Sequence, residues 1–235
     1  MLDYITLKLS FIVISKISMQ PQLLDLFGSN PTFSNFIPLN NQKIINLLSS
    51  YSSQFSHIIG APHSGKTHLL KAWVDGAPST AIFIDNALEI NLREIVNNYK
   101  YIAIDNIEDL DDNKQIELFD LFNQIKLNNL NNQLLTSSRT QLSTNMREDL
   151  KTRILSGINL NLKALNDDEL IDAISIFTKK EGITLDDSEK IYLINHYTRN
   201  IGVLITTIHK ITNSAIEQQR NITIPFIKQV LNNSR

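Results

Sequence analysis

Residues 60–67 read Gly-Ala-Pro-His-Ser-Gly-Lys-Thr, a full match to G-x-x-x-x-G-K-[ST], set between an apolar run ending at Ile59 and a helical stretch starting near Lys66. No other stretch constrains the fold so tightly. A loop of this kind needs a strand in front of it and a helix behind it. Its glycines let backbone amides turn inward around phosphate oxygens, and the positive end of the helix adds to the ammonium of the lysine. Gly60, Ser64, Gly65, Lys66, Thr67 and the adjoining His68 are therefore candidate nucleotide contacts, with Thr67 placed to ligate magnesium.

A second apolar run, YIAID at 101–105, ends in Asp105, where a strand-end carboxylate holds the magnesium ion through water. Many ATPases built this way follow that aspartate with a carboxylate that polarises the attacking water. Here the place is taken by Asn106, which cannot accept a proton, so hydrolysis by the chain itself is expected to be weak or absent. Glu108 is the nearest carboxylate further along, but residues just beyond a strand end need not point the same way.

Composition removes several alternatives. With 22 basic and 24 acidic side chains the net charge is −2, so the chain lacks the positive field that strong, independent DNA binding draws on. The absence of cysteine removes disulfides, thiolate zinc sites and cysteine nucleophiles, in keeping with a reducing, cytoplasmic setting. His57, His63, His68, His196 and His209 show no metal-ligand spacing. The opening MLDYITLKLSFIVISKIS is interrupted by Asp3 and Lys8 and is too short and too charged to span a bilayer. Met19 begins the segment that makes chemical sense, and residues 1–18 read as an upstream extension without an assigned role.

From Phe33 onward, strand-length runs (SHIIG near 58, TAIFID at 80–85, YIAID, LLTSS at 134–138 and INLNL at 158–162) alternate with stretches of helical spacing. KTHLLKAWV, LEINLREIVNN and NKQIELFDLFNQIK carry that spacing, which predicts an α/β fold: a parallel sheet flanked by helices. After Leu162 no further strand is predicted and the chain reads as helices. A capping box is expected at Asn166 and Glu169, and a last helix with Pro225 in its first turn. The division is an extension (1–18), a linker peptide (19–30), a nucleotide-binding α/β unit (31–163) and a small all-helical lid (164–235).

GAPHSGKTH, AIDNIEDLDD, DLKTR at 149–153, ALNDDEL at 164–170 and the ending NITIPFIKQVL together resemble the DnaA/Hda group of AAA+ proteins, most closely its short members, which end after the lid. The resemblance runs from about residue 20 to the end. It implies an AAA+ P-loop fold with five parallel strands, ADP or ATP with Mg2+ as cofactor, and two partners: the β subunit sliding clamp of the replicative DNA polymerase, and the initiator DnaA, whose ATP hydrolysis the ADP form would trigger to prevent re-initiation. Self-association is compatible with it. Gln22-Leu23-Leu24-Asp25-Leu26-Phe27 is similar to clamp-docking peptides, with Gln22 as the directional polar group and Leu23, Leu26 and Phe27 as buried anchors, although it has one residue more than the commonest form. Arg153 matches the group's arginine finger, a cation offered to a neighbour's γ-phosphoryl group. Phe36 and Ile37, with Phe33, are similar to the adenine-side segment.

Three positions depart from the group's pattern. Ser138 stands before Arg139 where sensor 1 has aspartate. Gly202 aligns with the sensor-2 arginine, and Arg199, three residues earlier, is placed to reach the phosphates from the same helical face. With Asn106, these changes favour a nucleotide-holding regulator. The alternative is an autonomous AAA+ ATPase of the helicase-loader (DnaC/IstB-like) kind, which would need a competent base. A clamp-loader-like scaffold and a DNA-binding transcription factor fit the length, charge and lid ending less well.

Overall fold

Five parallel strands form at the five apolar runs: β1 (Phe55–Gly60), β2 (Ala81–Ile84), β3 (Tyr101–Ile104), β4 (Gln133–Ser138) and β5 (Ile158–Leu162), ordered β2-β3-β4-β1-β5 across one sheet. They are seen in a computed structural model that describes residues 31–128, 130–142 and 145–232. Every residue of β3 is buried because the strand has neighbours on both sides and helices over both faces. Its alternation separates two cores. Ile102 and Ile104 point into one with Leu118, Leu121, Phe122 and Ile125, while Tyr101 and Ala103 point into the other with Ile58, Leu69, Leu70 and Trp73.

The helices of the α/β unit are α1 (Gln42–Ser49), α2 (Lys66–Asp75), α3 (Asp112–Leu127) and α4 (Glu148–Leu155). In α2, Leu69, Leu70, Trp73 and Val74 are buried, an apolar stripe at helical spacing against the sheet. Asp111 caps α3 by accepting the Lys114 amide at 2.8 Å.

The helix expected over LEINLREIVNN does not form. The segment is two 3-10 turns, Ala87–Glu89 and Ile95–Asn97, joined through an extended Ile90. Side chains take the amides that a helix would use: Asn86 accepts from Leu88, Asn91 from Arg93, and Glu117 of α3 from Leu92 at 3.0 Å. Lys114 of α3 donates to the Ile90 carbonyl at 2.6 Å. Leu92, Ile95 and Val96 still reach the core, so the apolar spacing records burial without recording a helix.

Beyond Leu162 lie α5 (Asp167–Glu181), α6 (Asp187–His196), α7 (Ile201–Glu217) and α8 (Ile224–Asn232). They enclose their own core, with Leu170, Ile174, Leu193, Leu204, Ile208, Phe226 and Ile227 at its centre. The capping box is present: Asn166 accepts the Glu169 amide at 2.9 Å and Glu169 accepts the Asn166 amide at 2.8 Å. Asn166→Ala is expected to cost the lid about 1 kcal/mol, readable as a lowered urea midpoint without a change in slope. The last helix carries Pro225 in its first turn as expected.

Among the described residues, polar contacts fasten the lid to the α/β unit at Asn40 and Asn200 and pin the end of that unit, at Lys163, just before the lid begins. Asn40 donates to Glu169; Asn41 exchanges two 3.0 Å hydrogen bonds with the Lys163 backbone; Asn200 donates to His63 Nδ1 at 2.8 Å. Among the described residues no helix is long and apolar enough to cross a membrane.

Candidate functional site

The loop from β1 to α2 is shaped by its two glycines. A Cβ on Gly60 would stand 2.7 Å from Ser64 Oγ and 2.9 Å from the Leu162 carbonyl, so the loop can close over the strand only without a side chain there. Gly65 has φ +98°, left-handed backbone that other residues rarely adopt, and a Cβ would meet the Phe36 ring at 2.7 Å. Phe36 thus packs directly on the turn into α2. Its ring is also edge-on to His68, 5.4 Å between centroids, and His68 Nε2–H donates to the Thr32 carbonyl at 3.0 Å. The segment bearing Phe36 and the half-buried Ile37 is in this way fastened over the loop.

Lys66 is buried, with its ammonium donating to the carbonyls of Gly60 at 2.8 Å and Ala61 at 3.1 Å. Burial pushes its pKa below the ordinary lysine value, opposed by the carboxylates of Asp105 and Glu108. Thr67 Oγ1 donates to Asp105 Oδ2 at 2.5 Å, so the hydroxyl and carboxylate expected on magnesium already lie side by side. Ser64 Oγ is buried with no partner, a polar atom turned into the loop with nothing to bond. These groups fit a nucleotide phosphate with its hydrated Mg2+: Lys66 and the loop amides for oxygens, Thr67 and Asp105 for the ion. Among the described residues no cluster of three or more His, Asp or Glu side chains is arranged to hold a metal by itself.

Adjacent strands supply the floor. Asp105 directly follows β3, and its Oδ1 accepts from Ser137 Oγ of neighbouring β4, a contact that no sequence motif marks. The signal was available in principle: in a parallel sheet the carboxyl ends of adjacent strands converge, and Ser137 is one of two serines ending β4. Ser138, expected at the nucleotide, has its hydroxyl committed elsewhere. It donates to the Thr140 carbonyl at 2.7 Å and meets His57 Nε2 at 3.1 Å. With Ser138 as donor to Thr140, His57 carries its proton on Nε2, and Nδ1 accepts from Thr136 Oγ1 at 2.8 Å.

Asn106 adopts left-handed backbone, φ +51°, and turns the chain back on itself so that residues 107–109 form one 3-10 turn against the end of β4. There Arg139 donates to Glu108 Oε1 from its backbone amide at 2.8 Å and from Nε at 2.7 Å, and also pairs with Asp109. Glu108 Oε2 is buried without a partner.

Arg199 is not on a helical face. It precedes Asn200, the N-cap of α7, and pairs with Asp167 of α5, Nε donating at 3.0 Å. Gly202 lies in the first turn of α7, so neither position presents a cation from that helix. The lid residue that reaches the loop is Asn200, whose Oδ1 accepts the Val203 amide while Nδ2 bonds His63. Asn200→Ala is expected to cost about 1 kcal/mol at the α7 cap and to speed amide exchange in its first turn. Asn200→Ser keeps a capping oxygen, so it should slow that exchange again while leaving His63 unbonded.

Arg153 lies in the last turn of α4, half-buried, its guanidinium 5.7 Å from the centre of the Phe119 ring. No salt bridge to it forms among the described residues, and it makes none of the loop contacts above. The peptide Gln22, Leu23, Leu26 and Phe27 lies outside the described residues.

Residues 167–231 match the family model described as the Hda lid domain. An uncharacterised protein of Haemophilus influenzae is 28% identical over 215 residues, 86% of this chain and 93% of that protein. Among solved structures, domain III of the Thermotoga maritima replication initiation protein DnaA superposes with a TM-score of 0.71 at 19% identity, over 88% of this chain and 97% of that one. AMPPCP-bound DnaA from Aquifex aeolicus gives 0.65 at 21% identity, over 79% of this chain and 66% of that one. The Thermotoga maritima RuvB Holliday junction branch migration motor gives 0.66 at 14% identity, over 86% and 71%. Residues 167–231 thus match the Hda lid domain, and the chain as a whole, with its sheet order β2-β3-β4-β1-β5, shares the fold of DnaA domain III.

Proposed function

We propose that this protein holds an adenine nucleotide with Mg2+ in the Gly60–Thr67 loop and, in its ADP form, docks on the replicative sliding clamp through Gln22–Phe27 and stimulates ATP hydrolysis by DnaA through Arg153. The observation that carries the reading is a complete phosphate cradle without a free base beside it, in a chain with an Hda-type lid. Lys66, Thr67 and Asp105 are in place, while the residue after Asp105 is Asn106, and Glu108 is taken up by Arg139.

In this reading Lys66 and the loop amides neutralise phosphate charge, Thr67 and Asp105 hold the ion, and Phe36 and Ile37 line the base side. Bound ADP would supply a fixed anionic anchor between loop and lid. Arg153 would then act on the partner's nucleotide, spreading positive charge over the transferring phosphoryl oxygens, a contribution that needs no hydrolysis by the donor. The near-neutral net charge of −2 is in keeping with a protein brought to DNA by the clamp rather than by its own field.

The test is single-turnover hydrolysis of DnaA-bound ATP with clamp-loaded DNA, with and without this protein in its ADP form. Stimulation that requires the clamp is the expected result. No stimulation, together with steady ATP turnover by the isolated chain at ordinary AAA+ rates, would replace this reading by the helicase-loader kind of ATPase.

A further inference from the structure

We infer that Glu108 is a hydrolytic carboxylate of this chain's own nucleotide site, kept out of service by Arg139. The inference rests on the nucleotide-binding reading above. It begins with the backbone: after the left-handed Asn106, Ile107–Asp109 make a 3-10 turn in which Glu108 meets Arg139 just past β4, at the same end of the sheet as Asp105. Its charge is felt there by both the Lys66 ammonium and the His57 ring.

Three features describe the restraint. Oε1 of Glu108 accepts two hydrogen bonds from one residue, the amide and Nε of Arg139, at 2.8 and 2.7 Å. The guanidinium is anchored on its far side by Asp109. Oε2 is shut away from solvent with nothing to bond, so the oxygen that could accept a proton is out of reach of water. A carboxylate paired with a guanidinium is also a poorer base. The arrangement is held by strong, charge-assisted bonds on Oε1 and opposed by the unsatisfied, buried Oε2, so breaking the Arg139 contact would free a carboxylate that is only half satisfied where it stands. Arg139 is 44% exposed at its side chain, so it can be drawn off without opening the core.

With Glu108 released, the chemistry is ordinary hydrolysis. A water oxygen bonds to the γ-phosphorus of ATP, the bond from that phosphorus to the bridging oxygen breaks, and ADP leaves with the electron pair. The water's proton passes to Glu108 and on to solvent, giving ADP, inorganic phosphate and one proton.

The experiment compares the full chain with Arg139→Ala, Glu108→Gln and the double variant, reading ADP and ATP affinity by calorimetry and Mg2+-dependent single-turnover hydrolysis. Arg139→Ala should bind nucleotide as before and hydrolyse ATP at least ~10-fold faster, at the low end of what a positioned base contributes. The double variant should fall back to the level of Glu108→Gln, which a merely structural effect of losing Arg139 would not produce. A readout without nucleotide is amide exchange at Arg139, which should quicken ~10-fold or more in Glu108→Ala because that amide loses its acceptor. Unchanged exchange, or an Arg139→Ala gain that survives Glu108→Gln, overturns the inference. So does nucleotide bound normally with no gain. If no nucleotide binds to the unaltered chain while the exchange result holds, the nucleotide reading fails and the hydrolytic role with it.

Discussion

Under the proposed function, Arg153→Ala is expected to abolish stimulation of DnaA's ATP hydrolysis, a loss on the order of 10³- to 10⁵-fold for an arginine finger. The change should be almost silent in the chain itself. Arg153 is half-buried in the last turn of α4 with its guanidinium 5.7 Å from the centre of the Phe119 ring, a cation–π contact worth about 1 kcal/mol. Folding, nucleotide affinity and clamp binding should therefore match the unaltered protein, so a fallen rate reports the interface with the partner. Arg153→Lys keeps the charge and loses the planar fork. It should recover only a small part of the rate, because two oxygens of a phosphoryl group are met together by a guanidinium and not by an ammonium. Full stimulation by Arg153→Ala would assign the finger elsewhere.

The second large effect is on stability against acid. Burial lowers the pKa of His57 from 6.5 to about 4, outweighing the nearby Glu108 carboxylate, and both ring nitrogens have partners, Thr136 and Ser138. The unfolded chain takes up this proton as pH falls through about 6.5, whereas the folded chain resists it until about 4. Unfolding therefore gains protons in that window, and stability is full above pH 6.5 and falls as pH drops, by about 3 kcal/mol across the whole interval. His68, also lowered by burial, adds in the same direction, so the measurement is a difference. Urea unfolding at pH 7 and pH 4.5 should show a smaller fall in His57→Gln than in the unaltered protein. Glu117 and Asp149, whose carboxyls sit below their ordinary values, lose their contributions only under more acid conditions. An unchanged pH slope in His57→Gln would mean that the ring is not kept neutral.

The strands were legible because burial on both faces writes a continuous apolar run, as in YIAI, and a parallel sheet demands such runs in series. The phosphate loop was legible because its glycines answer steric demands that are local in sequence, and both Gly60 and Gly65 meet atoms that a Cβ would strike. What was missed depends on partners far along the chain. Residues 88–98 have helical spacing, but Glu117 and Lys114 of α3 bind the Leu92 amide and the Ile90 carbonyl, and the helix gives way. Residue counting puts Arg199 on the face of α7, yet Asn200 caps that helix and leaves Arg199 outside it, beside Asp167. Motif position points to Ser138, whereas Ser137, one residue earlier, faces Asp105 because alternation along β4 turns the two hydroxyls to opposite sides. Clusters fixed by folding need the fold to be seen.

Among the described residues the buried core of the lid is built from lid residues alone, and its hydrogen bonds to the α/β unit run through amides, one carboxylate and a histidine. Hydrogen bonds of that sort can be traded for water at little net cost, whereas separating two halves of a shared oily interior cannot. The Lys163–Asn166 connection can therefore work as an axle: the four lid helices can swing as a block with their side chains undisturbed, and the P-loop contact through Asn200 acts as a stop rather than a weld. A small displacement of His63 would then reach the lid through Asn200, at the first turn of its longest helix, and be enlarged along the length of α7.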